Sequence, residues 1–174
     1  MDFERSFVIP DILPSPATVV IYGPGGDGKS MSAWTIGKHV ALGLPFMVRG
    51  KLMPVEQGPV LILNGDQSMS QVQDQLEEVD MPADAPVHIQ TNWHLKRMHR
   101  FCELMDEIKP KLVIVDSLIG CSGGSAFDEN KSEFASPLYW LSNYNGSAFP
   151  ATTVLVIHHA NKSGGFRGTS AIRD

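Results

Sequence analysis

The segment from residue 23 to residue 30 reads GPGGDGKS, and its residue types and spacing are those of a phosphate-binding loop. It fits the pattern G-x-x-x-x-G-K-[ST] at every specified position. Glycines let the backbone curl so that successive N–H groups face a phosphate, and a helix that begins there adds its positive N-terminal end. We therefore expect ATP to bind at Gly23, Pro24, Gly25, Gly26, Asp27, Gly28, Lys29, Ser30 and Met31.

Two side chains of this loop are expected to contact the bound ligand directly. The Lys29 ammonium is predicted to reach the β- and γ-phosphates, and the Ser30 hydroxyl is predicted to bind Mg²⁺. A chance glycine-rich turn is the alternative interpretation. We favour the phosphate loop because an apolar, β-branched run at residues 18–22 precedes it and helical spacing follows it, as the mechanism requires.

Asp116 ends the apolar run LVIVD and is a candidate partner of the loop. A carboxylate at the tip of a strand can hold the hydration shell of Mg²⁺ beside Ser30. Four apolar residues before an acid form a weak pattern on their own, and a strand-end aspartate that caps a turn is the usual alternative. The phosphate loop upstream favours the metal role, whereas the adjacent Ser117 suits the pocket or a turn equally well.

Asp66 follows the apolar run in LILNGD and is a candidate general base. A carboxylate at this position would take a proton from the water that attacks the terminal phosphate. An exposed Gly-Asp turn without a catalytic role is the alternative interpretation.

Two histidines, His158 and His159, end the run TVLVIHH. Because side chains alternate along a strand, one imidazole is predicted to point into the sheet packing and the other toward the crevice. An imidazole near the γ-phosphate would sense whether ATP or ADP is bound. A zinc site is disfavoured, because no cysteine or acidic residue lies at ligand spacing nearby.

These residues need a sheet whose strands end at a common edge. Short apolar runs predict strands at residues 18–22, 59–63, 87–90, 112–116 and 153–158. Helical spacing predicts helices at residues 29–42, 70–79, 95–108 and 132–144, although Pro137 disfavours the first part of the last one. Strands that are apolar on both faces and alternate with helices indicate a parallel sheet covered on both sides, with ligands at the carboxyl ends.

Length and composition are those of a single domain over residues 1–174, with 43% hydrophobic and 19% charged residues. No apolar run approaches the roughly 18 residues of a membrane helix, and the opening MDFERSF does not contain the apolar segment expected of a signal peptide. The formal net charge of −5 argues against a basic coat for nucleic acid, but not against a small basic lining in a ring. Cys102 and Cys121 match no metal or redox spacing, so we expect reduced thiols in a cytoplasmic protein.

Five segments taken together resemble a known family. GPGGDGKS, LILNGDQS, LVIVDS, VIHHANK and RGTSAIRD, in this order, resemble the RecA-like ATPases. The chain is most similar to their RepA/DnaB-type hexameric helicase branch and its KaiC-like relatives, from about residue 8 to the end. The phosphate loop is common to many NTPases, whereas the stretch after the last predicted strand is more specific to the family.

The resemblance implies a three-layer RecA-like P-loop NTPase fold with a mainly parallel central sheet. It also implies a ring-forming ATPase that uses ATP and Mg²⁺, binds nucleotide at subunit interfaces and acts on single-stranded DNA. Asp116 corresponds to the Walker B acid, Asp66 lies where the family commonly has a catalytic Glu, and His159 lies at the γ-phosphate sensor. Lys162 and Arg167 lie in the region from which cationic residues reach a neighbouring subunit's site or the DNA.

Two departures from the family qualify this interpretation. Asp66 is one methylene shorter than Glu, so hydrolysis is expected to be slow. Relatives usually continue past the RGTSAIRD position, so we expect the C-terminal strands to be missing, in a fragment or a minimal variant. Three functions stay open: a helicase motor, a KaiC-like regulatory ATPase without unwinding, and a nucleotide-binding module with little turnover. A small-molecule kinase is disfavoured because the arginines are few and dispersed.

Overall fold

The fold is built from strands and helices that alternate along most of the chain. A computed structural model describes residues 6–122, 149 and 151–159. In chain order, the strands are β1 (Ser6–Ile9), β2 (Leu13–Ser15), β3 (Ala17–Gly23), β4 (Phe46–Val48), β5 (Lys51–Met53), β6 (Val60–Asn64), β7 (Val87–Gln90), β8 (Leu112–Asp116) and β9 (Thr153–His159). The helices are α1 (Lys29–Leu42), α2 (Met69–Glu78), α3 (Met98–Ile108) and α4 (Leu118–Cys121).

A five-stranded parallel sheet in the order β3-β9-β8-β6-β7 forms the centre of the fold. Every residue of β6 and β8 is buried, as expected for apolar strands that are covered on both faces. Because all five strands run in the same direction, their carboxyl ends meet at one edge of the sheet. In the observed register, Gly23 lies opposite His159 and Asn64 lies opposite Asp116.

Apolar clusters on both faces make this sheet the middle of three layers. Along β8, Leu112 and Ile114 belong to the cluster that contains the buried residues of α1, whereas Val113 and Val115 belong to the cluster that contains those of α3. This alternation follows from the two-residue period of a strand. The observed layers confirm the predicted α/β fold class with a parallel central sheet.

α1 packs closely against the sheet and connects the loop after β3 to the other strands. A Cβ atom added to Gly37 would lie 3.1 Å from Cδ1 of Ile114, so the helix approaches β8 closely at this residue. The helix ends at Gly43, whose φ of 66° is in the left-handed region that glycine adopts without strain. The position of α1 relative to β8 therefore depends on tight packing in the cluster that contains Ile114.

The observed elements confirm most of the predicted ones to within one or two residues. The helix predicted at residues 95–108 begins later, at Met98, because Leu95 lies in a loop where its N–H donates to the Cys121 carbonyl at 2.7 Å. The sequence does not predict the antiparallel hairpins β1–β2 and β4–β5, since strands of three or four residues are too short to show alternation.

Some predictions fall on parts of the chain that the structure does not describe. The helix predicted at residues 132–144 lies outside the described residues. Within the described ranges, no helix is long and apolar enough to cross a membrane.

Candidate active site

The turn between β3 and α1 has the backbone conformation of an open loop. Gly26 and Gly28 have φ values of 86° and 70°, which residues with a Cβ rarely adopt. A Cβ atom added to Gly25, Gly26 or Gly28 would find no other group within 4 Å, so the loop is not packed against the rest of the described protein. The N-terminus of α1 has no side-chain cap at Gly28, which leaves its first N–H groups for a bound anion.

Lys29 lies inside this loop, although lysine is seldom buried. Its side chain is only 8% exposed, and its ammonium group donates a hydrogen bond to the carbonyl of Pro24. A pocket of about 250 Å³ lies beside it, lined by Gly26, Gly28, Lys29, Ser30, Met31 and His159. The ammonium group is thus held next to a space that borders the glycines of the loop.

His159 enters this pocket from β9. Its strand register places it opposite Gly23, at the point where the phosphate loop begins. The preceding His158 is buried in the sheet with 1% exposure, so the two imidazoles point to different sides, as alternation predicts. The Nδ1 atom of His159 is buried and has no hydrogen-bond partner among the described residues.

Asp116 receives one hydrogen bond on each of its carboxylate oxygens, and both donors belong to α1. The Ser30 hydroxyl donates to Oδ1 at 2.9 Å, and the Trp34 indole N–H donates to Oδ2 at 2.9 Å. Asp116 is 4% exposed and Trp34 is fully buried. The sequence predicts the proximity of Ser30 and Asp116 but not the contribution of Trp34, which its spacing identifies only as a core residue of α1.

The environment of Asp116 shows which charged groups lie close to it. Burial raises the pKa of its carboxyl group above the usual range, while the hydrogen bonds from Ser30 and Trp34 oppose this rise. The negative charge of Asp66 raises the same pKa, and His159 lowers it. Asp66, Asp116 and His159 are therefore close enough to interact electrostatically at the carboxyl edge of the sheet.

Two glycines hold Asp66 in its place. A Cβ atom on Gly65 would lie 2.2 Å from the carbonyl carbon of Gly120, and the Gly65 N–H donates to the Asp116 carbonyl at 3.2 Å. A Cβ atom on Gly120 would lie 2.8 Å from Cγ of Asp66, so the carboxylate rests directly on the backbone of α4. Asp66 is itself exposed, which leaves its carboxylate accessible to water.

A chain of amide groups fixes the loop that carries Asp66. The Oδ1 atom of Asn64 accepts a hydrogen bond from the backbone N–H of Gln67 at 2.9 Å, and Nε2 of Gln67 donates to Oε1 of Gln75 at 2.9 Å. Asn64 and Gln75 are both buried. The loop between β6 and α2 is thus anchored at both ends, and sequence reasoning missed these amides because their partners are not apparent from spacing.

The oxygen groups present suit magnesium better than zinc. The hydroxyl of Ser30 and the carboxylate of Asp116 are hard oxygen ligands, and Mg²⁺ commonly binds one or two such protein groups together with phosphate oxygens and water. Within the described ranges, no group of three or more His, Cys, Asp and Glu residues lies close enough together to hold a metal ion.

Most of the residues predicted for the site come together at one edge of the sheet. The same pocket is lined by His159 and by part of the phosphate loop, including Lys29 and Ser30, and Asp116 contacts Ser30. Asp66 lies next to α4 and close enough to Asp116 for their charges to interact. The remaining two predicted residues, Lys162 and Arg167, lie outside the described residues.

A glycine-rich loop between a strand and a helix, with its Ser hydrogen-bonded to an acid at the end of another strand of the same parallel sheet, defines a RecA-like P-loop ATPase. The chain belongs to the AAA domain family, whose model matches residues 3–165.

Solved structures support the same fold. The chain is similar to a KaiC-like protein from the hyperthermophilic archaeon Pyrococcus horikoshii OT3, with a TM-score of 0.56 over 90% of this chain and 71% of that chain. The two sequences are 15% identical, so this likeness shows the fold alone. A comparison with curated proteins gave no match.

Proposed function

We propose that this chain, a single ATPase domain over residues 1–174, is the motor of a replicative or plasmid- or phage-type helicase. It binds and hydrolyses ATP with Mg²⁺ and acts on single-stranded DNA as a homo-oligomeric, hexameric ring. The observation that supports the ATPase part is the hydrogen bond of 2.9 Å between the Ser30 hydroxyl and Asp116 beside an open glycine loop. The five-segment resemblance to the helicase branch supports the DNA part.

The phosphates are bound by groups that the fold has already positioned. The uncapped N–H groups at the start of α1 and the Lys29 ammonium would neutralise the β- and γ-phosphates. Lys29 would exchange its hydrogen bond to the Pro24 carbonyl for phosphate oxygens. Ser30 and Asp116 would hold Mg²⁺, which when bound offsets negative charge on the phosphates.

Hydrolysis requires one group that accepts the proton of the attacking water and a second group that contacts the γ-phosphate. A water oxygen attacks the γ-phosphorus, the bond from this phosphorus to the β–γ bridging oxygen breaks, and the proton of the water passes to Asp66. His159 would donate to a γ-phosphate oxygen from β9. The free accessibility of the Asp66 carboxylate supports its role as the base.

The DNA contact and the contact between subunits are assigned to Lys162 and Arg167. A few cations in the channel of a ring are sufficient for DNA binding by a protein whose formal net charge is −5.

The test of the proposed function is phosphate release from ATP, measured with and without single-stranded DNA, together with a salt titration of DNA binding. DNA-stimulated release that Lys29→Ala abolishes supports the motor.

The runner-up is a KaiC-like regulatory ATPase without unwinding, to which the five-segment resemblance also extends. It predicts phosphate release that DNA does not stimulate, together with DNA binding no stronger than that of an unrelated acidic protein. Release no greater than that of Lys29→Ala would instead identify a nucleotide-binding module with little turnover.

A further inference from the structure

Asp116 accepts a hydrogen bond from the indole N–H of Trp34 as well as from the Ser30 hydroxyl. Ser30 and Trp34 are four residues apart on α1 and therefore lie on the same face of the helix, one turn apart. The first donates to Oδ1 of Asp116 and the second to Oδ2, each at 2.9 Å. One helix thus determines both the position of the carboxylate and the rotation of its plane.

The chain contains a second buried tryptophan that has no such role. Trp93 is 3% exposed, and its indole nitrogen has no hydrogen-bond partner within the described part of the chain. It packs in the cluster on the α3 face of the sheet, away from α1. Among the described residues, this indole therefore packs without an acceptor, so filling space does not by itself explain why the Trp34 N–H reaches a carboxylate.

We infer that Trp34 is a positioning residue for Asp116, holding Oδ2 so that Oδ1 and the Ser30 hydroxyl together present one site for Mg²⁺. This inference rests on the proposed function. A group that hydrogen-bonds to a metal ligand without contacting the metal fixes the orientation of that ligand. Removing such a group commonly lowers metal affinity about 10- to 100-fold. Asp116 is 4% exposed and Trp34 is fully buried, so removal of the indole N–H takes away a buried donor that Oδ2 has in the folded protein.

The two tryptophans provide a matched pair of variants. Trp34→Phe removes ring volume and the hydrogen bond to Asp116, whereas Trp93→Phe removes the same volume and no hydrogen bond to any of the described residues. The probe is a fluorescent, non-hydrolysable ATP analogue, titrated with Mg²⁺ and, separately, in EDTA. We expect Trp34→Phe to raise the Mg²⁺ concentration for half-maximal binding about tenfold, with less than about a twofold change in EDTA. Trp93→Phe is expected to behave as the wild type does.

A third variant keeps the test decisive if Trp34→Phe fails to fold. Replacing Trp34 with 3-benzothienylalanine keeps the shape of the ring system but puts sulfur in place of the N–H, and it should reproduce the tenfold shift. Loss of Mg²⁺ affinity in both Trp34 variants but not in Trp93→Phe supports the inference.

An unchanged Mg²⁺ requirement in a folded Trp34 variant overturns it and leaves the proposed function intact. A wild-type chain whose nucleotide binding does not respond to Mg²⁺ overturns the proposed function and the inference with it.

Discussion

Gly23 and His159 lie opposite each other where β3 and β9 end, so the first residue of the phosphate loop has an imidazole as its neighbour across the sheet. The pairing results from the parallel register of two strands that are far apart in the sequence. It brings the His159 side chain into the pocket that Lys29 and Ser30 line.

His159→Ala is expected to lower kcat about 10- to 100-fold with little change in nucleotide affinity, because the lost donor would act on charge that develops during phosphoryl transfer. His159→Gln should retain part of the activity, since an amide N–H can donate in place of the imidazole. Steady-state phosphate release and analogue binding separate the two effects. The control is His88→Ala, on the exposed side of β7, and an equal loss in this control would contradict the assignment.

Lys29→Ala is expected to weaken ATP binding at least about tenfold, because it removes the buried cation of the loop. Isothermal titration calorimetry with a non-hydrolysable analogue measures the change. Lys38 provides a matched control on the same helix, since its ammonium donates to the Val79 carbonyl at 2.9 Å, outside the pocket. Lys38→Ala should bind nucleotide normally and lose about 1 kcal/mol of stability. Similar binding by both variants would argue against the phosphate site.

Asp116→Asn removes a proposed Mg²⁺ ligand, so nucleotide binding by this variant is expected to be the same with and without Mg²⁺. The substitution is also expected to stabilise the nucleotide-free protein at neutral pH. Burial raises the pKa of Asp116 in the folded state, so its protonated form favours folding. This contribution is fully present below the unfolded pKa of about 4 and is lost as the pH rises through the folded pKa.

Urea unfolding in EDTA measures this difference between the two proteins. The free energy of unfolding of Asp116→Asn should exceed that of the wild type at pH 7, and the two should converge toward pH 4. A variant that is less stable than the wild type at pH 7 would show that the hydrogen bonds to Asp116 outweigh the cost of its burial.

Gly120→Ala is expected to lower kcat about tenfold while nucleotide binding is retained, because the new methyl group would lie 2.8 Å from Cγ of Asp66 and displace the carboxylate. A double-mutant cycle with Asp66→Ala tests the mechanism. If Gly120 acts through Asp66, the second substitution adds no further loss once Asp66 has been replaced. Additive losses would mean that Gly120→Ala disturbs α4 itself.

The two cysteines are expected to differ in reactivity. Cys121 is fully buried, and burial raises the pKa of its thiol with smaller contributions from Asp116 and Asp66. Cys102 is partly exposed, and burial raises the pKa of its thiol as well. Iodoacetamide at neutral pH should therefore modify Cys102 slowly and Cys121 only after unfolding, as peptide mass spectrometry would show. Rapid labelling of native Cys121 would reveal that α4 opens.

The parts of the site that sequence reasoning predicts are those encoded locally. The glycine loop, its strand and α1 follow one another in the chain, and Asp116 ends a strand that is apolar throughout. The contact between Trp34 and Asp116 could not be predicted, because it joins residues 82 positions apart and depends on how closely α1 approaches β8. The contact between Asp66 and Gly120 could not be predicted either, because it requires the backbone after β6 to lie against the backbone of α4.

The position of β9 in the sheet has a consequence for the order of events during folding. It is the last described strand of the chain, yet it lies between β3 and β8 and is the sheet neighbour of both. Synthesis proceeds from the N-terminus, so the glycine loop and the Asp116 strand leave the ribosome before the strand that joins them. Until residues 153–159 arrive, β3 has no neighbour in the central sheet and is separate from the strands β8, β6 and β7. Pairing with β9 joins them into one sheet and brings the glycine loop and Asp116 to the same sheet edge.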